Sequence, residues 1–390
     1  MKRVYIPRKQ FWVRRRMLRV LRHVLGAAAV LVSAVLTLGI LWALALRGGP
    51  PGNRLHAITG ADVAGRFDMV LTNRFSDALE GIQSIRKVYW LSDEDLVAPE
   101  PDQSKFGQTG DAAVLESVLT EAEELLQGQS LYFDPHGERR PGSTVQYYLD
   151  ETILVITWKE VHDHCVYTFS EVKIADPSQI RRFLAGGEYG TAQQFLTTEM
   201  SASVNAVMAS SGDFYAHRNY GAVVWGGQVY RSHNGQLDLC FVDDEGDLRF
   251  LYAGEVPGEQ GLRQYVKDNN IRFSLAFGPV IVDNYSRVTP AWYPVGENSM
   301  EYSRAALCQM GPLHYLLAAA NMEANYPFVP TLFEFARQIQ QTGCRMAYTL
   351  DGGQTATIVM NDTLVNQVSY GSQRRISDIL YFATAVPDGG

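Results

Sequence analysis

Cysteine is scarce in this 390-residue chain, with four in all. A chain long enough for one large or two modest domains has no need of a disulfide scaffold for its stability. Cys165, Cys240, Cys308 and Cys344 admit two disulfides in three connectivities, or four buried thiols, which is the simpler reading. Cys308 and Cys344 are the pair to test first, because both are expected in neighbouring strands. Histidine is also sparse at 8 residues, and no dense His/Asp ligand set appears, which weakens a metal-dependent phosphoesterase reading. The run HDHC, His162 to Cys165, groups ligand types, but along a strand His162 and His164 face one way while Asp163 and Cys165 face the other. No metal and no cofactor are expected.

Basic residues are scarce beyond the beginning of the chain. Of the 34 Lys and Arg, ten lie in residues 1–47, where there is no Asp or Glu, so the remaining 24 face all 42 acidic residues at a formal charge of −18. A body this acidic argues against nucleic acid as a partner, since phosphate backbones demand a basic face. Long hydrophobic runs are absent with one exception, the uncharged 21-residue stretch Gly26 to Leu46. At about 1.5 Å per residue it matches the roughly 30 Å hydrocarbon core of a bilayer. It is long for a cleavable signal peptide, and no A-x-A-like site follows before RGGPPG. Nine Lys and Arg precede it, so the positive-inside rule puts the N-terminus in the cytoplasm and the rest outside.

These features divide the chain into a basic cytoplasmic tail (1–25), a transmembrane helix (26–46), a spacer with a helical extension (47–140) and a C-terminal domain (141–390). Within the extension, 56–87 reads as partly helical, and 92–111 as a polar, proline-bearing loop. Residues 112–127 place Val114, Leu115, Val118, Leu119, Ala122 and Leu125 on one stripe, an amphipathic helix. From Val145 the texture turns to strands, VQYYL, TILVITWKEV and CVYTFSEVKI, rich in β-branched and aromatic residues. DPSQIRRFL predicts a helix opened by Asp176 and Pro177, and 192–203 a second short one. Hairpins are expected at Gly226–Gly227, Gly246, Gly311–Pro312 and Asn361–Asp362. Thr331 with Glu334 forms a capping box for a helix over 331–341 that Gly343 closes. The fold class that follows is α+β, a mixed β-sheet core with flanking helices.

Read in order, several pieces resemble the phosphodiester glycosidase family, over roughly Val166 to Thr384. VMASSGDFY is similar to the family's strand into Asn-Gly-[Asp/Gly]-Phe-[Phe/Tyr], and Phe277-Gly278-Pro279 to its FGP strand. SRAALCQM is similar to an Arg-Thr-Ala-Ile-Gly strand and places Arg304 on the family's arginine. LDGGQTATIVMND resembles LDGGGSTTMVVNG, and GSQRRISDILYFA resembles a closing GERPVSNALLV strand. Ser211 stands where the family often has asparagine, and Gln354 and Thr355 where it has Gly-Ser.

The resemblance implies hydrolysis at a sugar's anomeric carbon with a phosphodiester as leaving group. That group departs as a stable anion, so a strong general acid is dispensable. Fixed positive charge to hold the phosphate and a carboxylate facing the anomeric carbon are not. By themselves, aspartates beside glycine are as readily Asx turns; with the resemblance, Asp213 and Asp351 become the carboxylates and Arg304 the leading phosphate ligand. His217, Gly352, Gly353, Gln354, Thr355 and Arg374, with Arg375 as an alternative to Arg374, are the substrate-binding candidates. The backbone N–H groups of Gly352 and Gly353 supply further donors. The expected protein is a membrane-anchored extracytoplasmic glycosidase acting on a sugar-1-phosphodiester in an envelope or exopolysaccharide glycan. The competing reading is a non-catalytic sugar-phosphate-binding protein that assists polysaccharide assembly.

Overall fold

The strand-rich texture from Val145 onward forms three sheets whose strand pairs are all antiparallel. A computed structural model of the chain describes residues 91, 96–295 and 298–386, all within one unit, Leu55–Gly390. The candidate transmembrane run at 26–46 and the helical reading of 56–87 lie outside the described residues. Among those described, no helix is long and apolar enough to cross a membrane.

The largest sheet orders its strands Phe106–Thr109, Val145–Leu149, Ile153–His162, Cys165–Ile174, His314–Asn321, Arg304–Gly311, Met346–Leu350, Val280–Asp283 and Ser286–Arg287. A second sheet runs Leu248–Leu251, Leu239–Asp243, Ile271–Leu275, Val223–Trp225, Gln228–Arg231, and a third runs Thr363–Leu364, Ile358–Met360, Met208–Ser211, Asp378–Phe382, Ile180–Leu184. One buried cluster joins all three: Leu307, Leu317 and Tyr348 from the first, Cys240 and Leu275 from the second, Met208, Ile358 and Leu380 from the third.

Helices cover the outer faces. Leu115 and Val118 of Ala112–Glu121, with Leu332, Phe335 and Ile339 of Leu332–Gln341, pack on the far side of the largest sheet against Ile156, Phe169 and Cys308. Met200 of Thr197–Ser203 covers the third sheet, and Leu262 and Val266 of Glu259–Asp268 cover the second. A sheet covered on both faces reads as a continuous apolar run, and Cys165–Ile174 is buried at every position. The four cysteines are free and buried. Cys308 lies in the strand Arg304–Gly311 and Cys344 just before its neighbour Met346–Leu350.

Most of the expected turns occur where the residues suggested. Gly226 and Gly227, and Asn361 and Asp362, adopt positive φ at their hairpin tips, and Thr331 and Glu334 form the full capping box. Several local expectations are overturned. IRRFL is a strand, because Ile180–Leu184 pairs along its length with Asp378–Phe382 and only Pro177–Gln179 turns as a 3-10 helix; tertiary pairing overrides a good N-cap. The stretch 92–111 is not all loop, since Phe106–Thr109 pairs with Val145–Leu149 at the edge of the largest sheet. HDHC does not run along a strand either: His162 pairs with Cys165 across a two-residue turn, with Asp163 and His164 at positive φ.

Replacing Thr331 by Ala removes the acceptor for the Glu334 N–H and half of the box. It should cost about 1 kcal/mol of stability, read as a lower urea midpoint with unchanged slope.

Candidate functional site

The strands Arg304–Gly311 and Met346–Leu350 lie side by side in a register that pairs Ala305 with Leu350. That register brings Arg304, at the start of one strand, level with Asp351, just past the end of the other. Both line a cavity of about 430 Å³, together with Gly352, Gly353, Gln354 and Arg374, and walls from Phe277, Tyr302 and Tyr370. Gly352 is required by close approach: a Cβ there would sit 2.5 Å from the Ser303 carbonyl oxygen. The Gly353 N–H donates to that same carbonyl at 2.8 Å, so the turn after Asp351 is tied to the residue before Arg304.

Asp351 is buried, and Arg374 Nη2 meets its Oδ2 at 2.6 Å. Burial pushes the Asp351 carboxyl pKa up, and the Arg374 charge, the Thr355 hydroxyl and the Arg218 charge only partly offset it. Arg304 donates from Nη2 to the Met300 carbonyl at 2.8 Å and lies 5.6 Å from the Tyr302 ring centre. Burial pushes its guanidinium down to about 10, so it is still charged at neutral pH, and an anion entering the cavity would raise it again.

The other expected residues divide. Thr355 is buried beside the cavity, with its hydroxyl donating to the Gly352 carbonyl at 2.7 Å. Arg375 turns away to Glu199 at 3.3 Å, which leaves Arg374 as the site arginine of the pair. His217 is exposed and stacks on Phe214 with ring centres 4.3 Å apart; burial, then Arg374 and Arg218, lower its pKa. Asp213 does not line the cavity. Its Oδ2 accepts from the Ala276 N–H at 2.8 Å, and its Oδ1 lies 3.1 Å from Arg182 Nη2.

Asp213 belongs to a buried charge group that sequence reasoning missed. Arg182 also bonds Asp378, Nε to Oδ2 at 2.9 Å, and Asp378 Oδ2 accepts the Asp213 N–H at 3.0 Å. All three side chains are essentially inaccessible. Burial drives the Asp378 carboxyl pKa up against the pull of Arg182, and Asp213 adds to the rise. A Cβ at Gly212 would collide with Asp378, so the glycine lets this group close against the end of Met208–Ser211. The signal that could have marked Arg182 was a doubled arginine inside an otherwise apolar run. Arg218 and Tyr370 were also missed, and Tyr370 is 92% exposed at φ 60 on the cavity lip.

Residues 204–383 match the family model described as phosphodiester glycosidase, a span that contains every candidate residue of the cavity. No curated protein matches the chain in sequence. Among solved structures, the chain is similar to the zebrafish N-acetylglucosamine-1-phosphodiester alpha-N-acetylglucosaminidase catalytic domain auto-inhibited by its pro-peptide, at 15% identity and TM-score 0.47, covering 59% of this chain and 82% of that one. A hypothetical protein from Synechocystis matches at 14% identity and TM-score 0.42, over 61% of this chain and 63% of the other.

Arg182→Ala leaves two buried carboxylates without their cation. It should destabilise the domain by about 3–5 kcal/mol in equilibrium urea unfolding, far more than loss of an exposed arginine.

Proposed function

Residues 204–383 form a phosphodiester glycosidase domain, of a hydrolase family, and from that premise we propose that this chain hydrolyses the anomeric C–O bond of a sugar-1-phosphodiester. The observation that carries the assignment is the shared cavity. Asp351, Arg304 and Arg374 open into one space of about 430 Å³, a size suited to a small polar ligand.

Arg304 and Arg374 hold the phosphate, their planar forks offering paired donors that do not deprotonate at working pH. Asp351 faces the anomeric carbon and stabilises the oxocarbenium-like charge as the bond to the phosphate oxygen lengthens. The phosphate leaves as an anion beside guanidinium charge, so no acid need protonate it. The N–H groups of the Gly352–Gly353 turn and the Gln354 amide complete the polar lining. Asp213, held by Arg182 and the Ala276 N–H, acts from behind: it fixes the strand end next to Asp351, whose N–H donates to the Gly212 carbonyl at 3.3 Å.

The cellular setting is part of the same reading. The run Gly26 to Leu46, with nine basic residues before it, supports a single-pass anchor with the domain outside, and an envelope or exopolysaccharide glycan as substrate.

Hydrolysis of a synthetic sugar-1-phosphodiester in ¹⁸O water should put the label on the sugar; label on phosphate, from P–O cleavage, overturns the assignment. Asp351→Asn and Arg304→Ala should each lower turnover by at least about 100-fold with the fold retained. Because burial raises the Asp351 pKa and the reaction needs its ionised form, kcat/KM should fall on acidification through a limb lying above the ordinary aspartate range. A pH–rate profile flat through that range removes Asp351 from the reaction.

A further inference from the structure

Arg218 stands one ring away from the cavity and has no role in the assignments above. Its Nη2 donates to the Ala276 carbonyl at 2.8 Å, and its own carbonyl accepts from Arg231 at 2.6 Å. The guanidinium carbon lies 5.6 Å from the ring centres of Phe214 and Tyr220 and 5.5 Å from that of Phe277. Its Nε and Nη1 are buried and, among the described residues, have no hydrogen-bond partner. The aromatic faces attract the cation, but buried donors without acceptors oppose the arrangement. An uncharged side chain of similar length would fill the cage without that cost, so packing alone does not account for an arginine here.

Two of the three rings connect the cage to the site. Phe277 lines the cavity. Phe214 carries the Arg374 guanidinium, 5.0 Å from its centre, and Arg374 is the direct partner of Asp351. A phosphodiester entering the cavity competes with Asp351 for Arg374. Once Arg374 turns to the phosphate, the buried carboxylate needs another cation to remain ionised.

We propose that Arg218 is a positioning residue of this site: it braces Phe214 and Phe277, and supplies the fixed charge that keeps Asp351 ionised while Arg374 engages phosphate. This rests on the proposed reaction for its kinetic consequence, though not for its electrostatic one. Arg218 already counts among the groups that hold the Asp351 pKa down against burial, after Arg374 and Thr355. The other charged groups near this corner do not substitute for it. His217 faces both Arg374 and Arg218, which add to partial burial in lowering its pKa. Arg231 lies among Asp213, Arg182 and Arg218 and bonds to backbone carbonyls. Arg304 starts the neighbouring strand and donates to Met300.

The test follows the Asp351 carboxyl directly, by ¹³C NMR of the full chain labelled at aspartate, with Asp351→Asn to assign the resonance. Arg218→Met should move the Asp351 titration to higher pH, most clearly with inorganic phosphate present to occupy Arg374, and Arg218→Lys should restore it. If the Met variant does not fold, Arg218→Gln makes the same comparison. Where a sugar-1-phosphodiester is turned over, the acid limb of kcat, which reports the substrate-bound enzyme, should shift in the same direction and its plateau fall on the order of 10-fold, the scale of outer-shell partners. An Asp351 titration identical in wild type and in the folded neutral variant overturns the proposal. Absence of any hydrolysis by the wild type would instead refute the proposed reaction, and the titration would still decide the role of Arg218.

Discussion

The pairing of Arg304–Gly311 with Met346–Leu350 is the constraint on which the cavity depends. Its register is fixed by the side chains it buries: Ala305, Leu307, Tyr348 and Leu350 all enter the cluster shared by the three sheets. A slip of one residue would exchange those side chains with Ala306, Cys308 and Ala347, which pack in the cluster on the sheet's other face, so core packing on both faces sets the alignment of Arg304 with Asp351 far more firmly than their own charges could. The site has no separate scaffold. Its geometry is a by-product of core packing, extended by one residue past the ends of two strands.

Charge around the cavity is arranged against the trend of the chain. Beyond residue 47 the sequence is strongly acidic, yet Arg304 and Arg374 line the cavity and Arg218 lies one ring behind it. Among the described lining residues Asp351 is the one carboxylate. Desolvation raises the importance of each of these charges, since buried or half-buried groups are screened little by salt and water. A local excess of cation within an anionic surface selects for a ligand that is itself anionic and small enough to enter. The acidic exterior disfavours a polyanion such as nucleic acid lying across the whole face.

Much of this was legible in local sequence. The capping box at Thr331, the glycine and Asn-Asp hairpins, and the aspartate before Gly352 each carry their reason within a few residues. What could not be read was long-range. IRRFL has a helix-like opening at Asp176–Pro177, and only the partner strand Asp378–Phe382 makes it a strand. Arg182 and Asp378 are 196 positions apart and look like an ordinary surface arginine and aspartate until pairing places them together. Arg218 was invisible for a related reason: its cage draws Phe214 and Tyr220 from one loop and Phe277 from another. Choosing Arg374 over Arg375 likewise depended on which of two adjacent side chains faces Asp351 and which faces Glu199.

The fate of Asp213 bears on the chemistry. Two aspartates beside glycine invite the paired-carboxylate scheme of ordinary glycosidases, in which one group protonates the leaving oxygen and the other attacks or activates water. Here the two are separated by position: Asp351 lines the cavity, while Asp213 is ion-paired with Arg182 inside the protein. A single accessible carboxylate would be a poor catalyst for an alkoxide leaving group, which must take up a proton as it departs. It suffices for a phosphodiester, whose departing oxygen carries charge that Arg304 and Arg374 can hold. The arrangement of one carboxylate and two guanidiniums thus matches the demands of the leaving group in the proposed reaction, in which the second aspartate would serve by holding the neighbouring strand end.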